Sequence, residues 1–181
     1  GTKASVAIGL PVCIGFIMLG ETFINLWMGP SYGAQAGAVL AVLAVGHLVN
    51  LPYYTISGIL YGLGQHRHIA IYRILEGAVN LGLSITLVQS HGLVGVALGT
   101  AVPHMVVAAA LLPRMLATLL PFSLPVYDRW SYLRPFVAAI PFVATCWFIA
   151  HVVRPAGLVA FMASVACGLV TYVIPCWLVV L

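Results

Sequence analysis

Apolar residues run along this chain in six long blocks, each closed by a short cluster of glycine, proline and polar residues. No block sustains the period-two alternation of a strand, so the pattern predicts helices and speaks against a β-barrel. A helix that crosses a membrane needs about 20 mainly apolar residues. The blocks fall at roughly 5–27, 36–62, 69–89, 94–116, 135–153 and 157–180. The breaks between them lie at Trp27–Gly33, Gly62–His68, Gln89–Gly92 and His151–Pro155, where glycine, proline and interfacial aromatic residues collect. The remaining connection, 117–134, carries Pro121, Pro125, Tyr127, Trp130 and Tyr132. It is expected to be an interfacial linker along the inner surface, its prolines interrupting any amphipathic helix. The pattern therefore predicts an all-α, polytopic membrane helix bundle of about six transmembrane helices. Four of them lie in 1–116, a linker occupies 117–134, and a terminal pair fills 135–181.

Composition removes the soluble alternative. Hydrophobic residues make up 63% of the chain and charged residues 6%, with a mean hydropathy of +1.14. An ordinary soluble domain is about 25% charged, and so few charges cannot cover a water-facing surface. The formal charge of +4 comes from scattered basic residues, which report topology and give no sign of a nucleic-acid partner. With six spans, Lys3, Arg67, Arg73, Arg114, Arg129 and Arg134 fall on one side and Arg154 on the other. The positive-inside rule then puts both ends of this chain in the cytoplasm. Cys13, Cys146, Cys167 and Cys176 lie in apolar spans without CxxC spacing and read as small buried hydrophobes.

Polar residues inside the spans form the candidate chemistry. His47, Asn50, Tyr54, Ser57 and Tyr61 recur at spacings of 3, 4, 3 and 4, which is one face of a helix. Such a stripe avoids lipid, so it either lines a wet cavity or bonds to neighbouring helices. Arg73, Glu76, Asn80 and Ser84 make a second face in the third span. Glu76 reads either as a protonatable group on a transport path, tuned by Arg73, or as half of a structural ion pair. Glu21, four residues before Asn25, reads as an acid at the outer rim. His104, beside Pro103 and four residues after Thr100, is a hydrogen-bonded histidine or a proton-linked switch. Of the prolines inside spans (Pro11, Pro52, Pro103, Pro141 and Pro175), Pro52 and Pro103 are the hinge candidates because polar residues flank them. Nothing in the spacing of His47, His104 and Glu76 demands a metal. The chain lacks GxSxG, Walker A and dinucleotide fingerprints, and Asp128 is its single aspartate. No catalytic role and no cofactor are expected.

One stretch adds a family expectation. In 58–103, "GILYGLGQHRHIAIYRILEGAVNLGLSITLVQSHGLVGVALGTAVP", a helix ends at Gly64-Gln65-His66-Arg67. A helix containing Asn80-Leu81 follows, then Gly92-Leu93-Val94-Gly95 and the small-residue run Ala97-Leu98-Gly99-Thr100. This order resembles the C-terminal half of bacterial polysaccharide flippases in the multidrug/oligosaccharidyl-lipid/polysaccharide exporter superfamily. "LWMGPSYGAQA", 26–36, is similar to that family's outer loop. The resemblance covers most of 1–116, while the last two spans fit only as the extra helix pair of polysaccharide members. It implies a two-lobe exporter of which this chain holds four helices of the second lobe plus that pair, the N-terminal lobe lying elsewhere in a longer protein. It also implies a flippase in the bacterial inner membrane that moves lipid-linked oligosaccharide by alternating access, for polysaccharide or lipopolysaccharide (O-antigen) synthesis. A proton or sodium ion would be its coupling partner. The alternatives are a peptidoglycan-precursor flippase or a cation-coupled drug exporter of the same superfamily. A membrane-embedded glycan polymerase or ligase, or a structural subunit, are rivals from other classes.

Overall fold

The computed structural model describes residues 2–120 and 124–179, and for 124–132 and 179 the backbone course alone. Among the described residues seven α-helices follow one another: α1 (Thr2–Met28), α2 (Pro30–Asn50), α3 (Tyr53–Gly62), α4 (His66–Val106), α5 (Leu112–Leu119), α6 (Leu124–Phe148) and α7 (Leu158–Val179). Single π-helical turns occupy Val107–Leu111 and Ile149–Val153, and there is no strand among the described residues. The protein is an all-α helix bundle.

Five stretches are long and apolar enough to cross a membrane. One of them, His66–Leu119, is 54 residues long, or about 80 Å of helix against a hydrocarbon core of about 30 Å. Gly92, at φ 57° and ψ −139°, folds it in two. Only glycine enters that backbone region without strain. The two arms of α4, 66–91 and 93–106, lie antiparallel. Ser84 Oγ lies 3.5 Å from the Val96 carbonyl oxygen, and Thr100 Oγ1 donates to Asn80 Oδ1 at 3.3 Å. Two glycines let the arms touch: a Cβ at Gly95 would stand 2.2 Å from the Leu87 carbonyl oxygen, and one at Gly99 would stand 2.7 Å from the Ser84 nitrogen. Small residues at such contacts let membrane helices approach closely. Among the described residues the helical arms able to cross are thus six once the fold at Gly92 is counted, in keeping with the hydrophobic pattern, and the chain is a multi-pass membrane protein.

Three boundaries differ from the sequence expectation. The turn expected over Trp27–Gly33 shrinks to Gly29, because Pro30 starts α2 directly; proline fits a first helical turn, where its missing N–H has no partner to lose. The second span is not one helix. α2 ends at Asn50 and α3 starts at Tyr53, with Leu51 and Pro52 between them. Most of the expected linker is helical: α5 continues to Leu119 and α6 begins at Leu124. Pro125 sits in the first turn of α6, where it costs no helical hydrogen bond. Pro121 and the side chains of Tyr127, Arg129, Trp130 and Tyr132 lie outside the described residues.

Two apolar cores hold the bundle. One joins α1 (Val6, Leu10, Leu19) to α6 (Phe142, Cys146) and α7 (Phe161, Tyr172). The other joins α3 (Ile56, Leu60) to the start of α4 (Ile69) and to Val107, Leu112 and Leu116. Leu51 belongs to the first core and Tyr53 to the second. The break at Pro52 is therefore where the chain passes from one core to the other.

Candidate functional site

Between these cores lies a polar cluster assembled from three spans. The second span supplies Asn50 from the last turn of α2, 2% exposed. The first arm of α4 supplies Arg73 and Glu76, and the second arm supplies His104. Glu76 is the centre. Its Oε2 accepts from Arg73 Nη1 at 2.6 Å, and its Oε1 lies 2.7 Å from His104 Nδ1. The other side of the His104 ring, Nε2, bonds to the Asn50 amide nitrogen.

These contacts assign the protons. An amide nitrogen only donates, so His104 Nε2 accepts from Asn50. Nδ1 of a neutral His104 then carries the proton and donates to Glu76. Arg73 Nη1, 3.4 Å from that Nδ1, is a second donor to the same carboxylate and makes no bond to the ring. Adding a proton to His104 would turn Nε2 into a donor, and Asn50 satisfies that state only by rotating its amide to present Oδ1. The amide orientation of a residue at the α2–α3 break is thus tied to the charge of His104.

The cluster is mostly enclosed. Glu76 and His104 side chains are 15% and 21% exposed, while Arg73 is 37% exposed. A charged residue at mid-membrane costs about 2.5–3.5 kcal/mol on insertion scales, so the three groups are tolerable only as a mutually bonded set. Glu76 also lines a cavity of about 190 Å³ between the α4 arms, whose other walls include Leu75, Val79, Pro103 and Val107.

The remaining sequence candidates divide. His47 Nδ1 lies 3.2 Å from the Tyr54 hydroxyl across the Pro52 break, and the His47 ring meets His104 edge-on at 5.7 Å. Both His47 and Tyr54 are exposed, so they extend the cluster outward. Asn80 and Ser84 lie farther along the same helix face, where Ser84 Oγ donates to Asn80 Oδ1 at 2.9 Å and Thr100 donates to the same oxygen. These residues join the arms of the α4 hairpin. Ser57 Oγ donates to the Tyr53 carbonyl of its own helix at 3.3 Å and does not join the cluster. Tyr61 packs on His66 at 5.5 Å, at the far end of the stripe. Glu21 is exposed, and its backbone packs against Gly37.

Of the hinge candidates, Pro52 stands at a true break. Pro103 sits within a continuous helix and is followed by the π-turn at Val107–Leu111. Among the described residues no three His, Cys, Asp or Glu side chains converge as metal ligands.

His104 and Thr100 are the partners that spacing along one helix does not reveal. The signal that finds them is the hairpin: Glu76 with His104, Asn80 with Thr100 and Ser84 with Val96 stand at equal sequence distances on either side of Ser90. No family model matches the chain, and no curated protein or solved structure is significantly similar to it.

Proposed function

We propose that the chain is the C-terminal part of a membrane flippase that moves lipid-linked oligosaccharide from the cytoplasmic to the outer leaflet by alternating access. The single observation that carries this reading is the Asn50–His104–Glu76–Arg73 cluster at the α2–α3 break. Ionisable groups within membrane spans mark transport paths or proton relays, and a helix broken beside such groups is a feature of transporter binding sites. The sequence resemblance supports the oligosaccharide over other cargo. An apolar groove of about 320 Å³ between α1, α6 and α7, lined by Phe16, Phe23, Phe142 and Phe161, suits an isoprenoid tail. No covalent step is involved. The sugar needs hydrogen-bonding side chains and the tail needs hydrocarbon.

In this reading the exposed side of the cluster (Arg73, His47 and Tyr54) faces the missing lobe, and a proton taken up at His104 or Glu76 is the coupling ion. The protein sits in the bacterial inner membrane with both ends of this chain cytoplasmic, a topology supported by the distribution of Lys3, Arg67, Arg73, Arg114, Arg129 and Arg134 against Arg154.

The test is Glu76→Gln in the full-length protein in cells that depend on it for surface glycan. Surface glycan is expected to fall about tenfold or more with membrane abundance unchanged, the loss that goes with removing an essential proton carrier. Equal loss of abundance and glycan would make the cluster a structural pair. Unchanged glycan with altered drug susceptibility would favour the exporter alternative.

A further inference from the structure

A second polar site lies at the membrane surface where α3 gives way to α4. The chain turns through Leu63, Gly64 and Gln65, with Gly64 at φ 74°. A cavity of about 430 Å³ opens there between the first turns of α4 and the last turns of α5, a volume in the usual range of ligand sites. Gln65, His68, Arg114 and Thr118 form its rim, and Leu111 and Met115 belong to its apolar wall.

The hydrogen bonds leave donors over. His68 Nδ1 donates to Gln65 Oε1 at 3.0 Å, and the Gln65 amide NH₂ donates to no described residue. Thr118 Oγ1 donates to the Met115 carbonyl at 2.7 Å. The Arg114 side chain is exposed and makes no ion pair with any described residue. Among the described residues no carboxylate lines the cavity. Gln65 and His68 stand at the N-terminal end of α4, the end of a helix dipole that favours negative charge. A site whose described rim carries donors and positive charge matches an acceptor-rich anion. The apolar wall descends from that rim along two membrane helices, so the anion it fits carries a hydrocarbon chain.

We infer that this cavity binds the phosphate headgroup of an anionic phospholipid, with the Arg114 guanidinium as its main contact, Gln65 and His68 as further donors, and the first methylenes lying on Leu111 and Met115. Basic pockets between membrane helices take such headgroups, and arginine's fork matches phosphate geometry. The inference rests on the multi-pass membrane fold and is independent of the cargo proposed above.

The experiment uses the full-length protein purified in neutral detergent. Dioleoyl phosphatidylglycerol, dioleoyl phosphatidylcholine or glycerol phosphate is added, and binding is read by native mass spectrometry and by the shift in melting temperature. Phosphatidylglycerol is expected to bind in preference to phosphatidylcholine. Arg114→Gln is expected to weaken it roughly fivefold, the effect of about one basic residue at a membrane surface. Thr118→Asp, which adds a carboxylate to the exposed rim, is expected to remove the preference. Arg67→Gln, exposed nearby but outside the cavity wall, is expected to change binding less than twofold. Equal losses for Arg114→Gln and Arg67→Gln would replace the site with diffuse surface charge. Full competition by glycerol phosphate at equal concentration would make it a site for a soluble anion. Loss of glycan export in Glu76→Gln would leave all these results unchanged.

Discussion

Two of the helix interfaces in this bundle are held by opposite means. Where α1 meets α6 and α7, the contact is almost wholly apolar: Phe142 and Tyr172 rings pack at 6.1 Å, and Gly168 admits Thr145 and Phe142. Two of its polar contacts are neutral hydroxyl bonds. Tyr172 donates to the Ala7 carbonyl at 2.7 Å, and the Thr145 and Thr171 hydroxyls meet at 3.2 Å. Where α2 meets the α4 hairpin, a carboxylate, a guanidinium, an imidazole and an amide bond to one another. A membrane gives helices little hydrophobic reason to associate. Close packing suffices for the first interface. The second keeps a charged set that packing does not need, and that excess is what suggests function.

The largest effect should come from breaking the hairpin that assembles the charged interface. Gly95→Val places a side chain against the Leu87 carbonyl, where even a Cβ would stand at 2.2 Å. The loss should exceed about 4 kcal/mol, seen as near absence of folded protein in the membrane fraction. Wild-type abundance would mean that the arms do not close this tightly. Next, Glu76→Ala strips Arg73 and His104 of their common acceptor. Removing one partner of a buried pair costs about 3–5 kcal/mol, discounted to about 2–3 because Arg73 is 37% exposed. Thermal unfolding in detergent reads the cost, and Arg73→Leu combined with Glu76→Leu should recover at least half of it. Asn50→Leu should cost about 1–3 kcal/mol, the penalty for a buried polar group left without its partner. On the apolar side, Tyr172→Phe should cost about 1 kcal/mol, and Thr145→Val only about 0.6 kcal/mol. A larger loss from Tyr172→Phe than from Asn50→Leu would reverse the contrast between the interfaces.

Thiol labelling sharpens the same comparison without unfolding anything. Ser57→Cys, on a half-buried position of α3 outside the charged cluster, should react with a water-soluble maleimide if the stripe borders a wet path. The native Cys146, buried between α1, α6 and α7, should stay unreactive in the same sample. Equal protection of both would make the two interfaces equally dry and leave the α2 stripe as interhelical bonding.

Some of the site was legible along the chain. Glu76, Asn80 and Ser84 share a helix face because 3.6-residue periodicity fixes which side chains align, and in the structure that face meets the second α4 arm. The stripe from His47 to Tyr61 was legible only in part. Pro52 breaks the helix within it, so Asn50 turns inward to His104 while Ser57 bonds to its own backbone. Helix extends into the expected linker from Leu124 because Pro125 falls in the first helical turn, where a proline breaks nothing, while Pro121, the other expected breaker, lies outside the described residues.

The sequence by itself determined the solvent, the number of crossings and the turn at Gly92, since these follow from the length of apolar runs and from backbone chemistry local to a few residues. Tertiary structure decided the partners of Glu76. Helical periodicity says which residues share a face but not which face of another helix comes to meet it. That pairing depends on the closeness of the α4 arms at Gly95 and Gly99 and on the Pro52 break bringing Asn50 to His104. Arg73 and Glu76, three residues apart on one arm, belong to a three-way junction whose third member, His104, stands 28 residues beyond Glu76 on the returning arm.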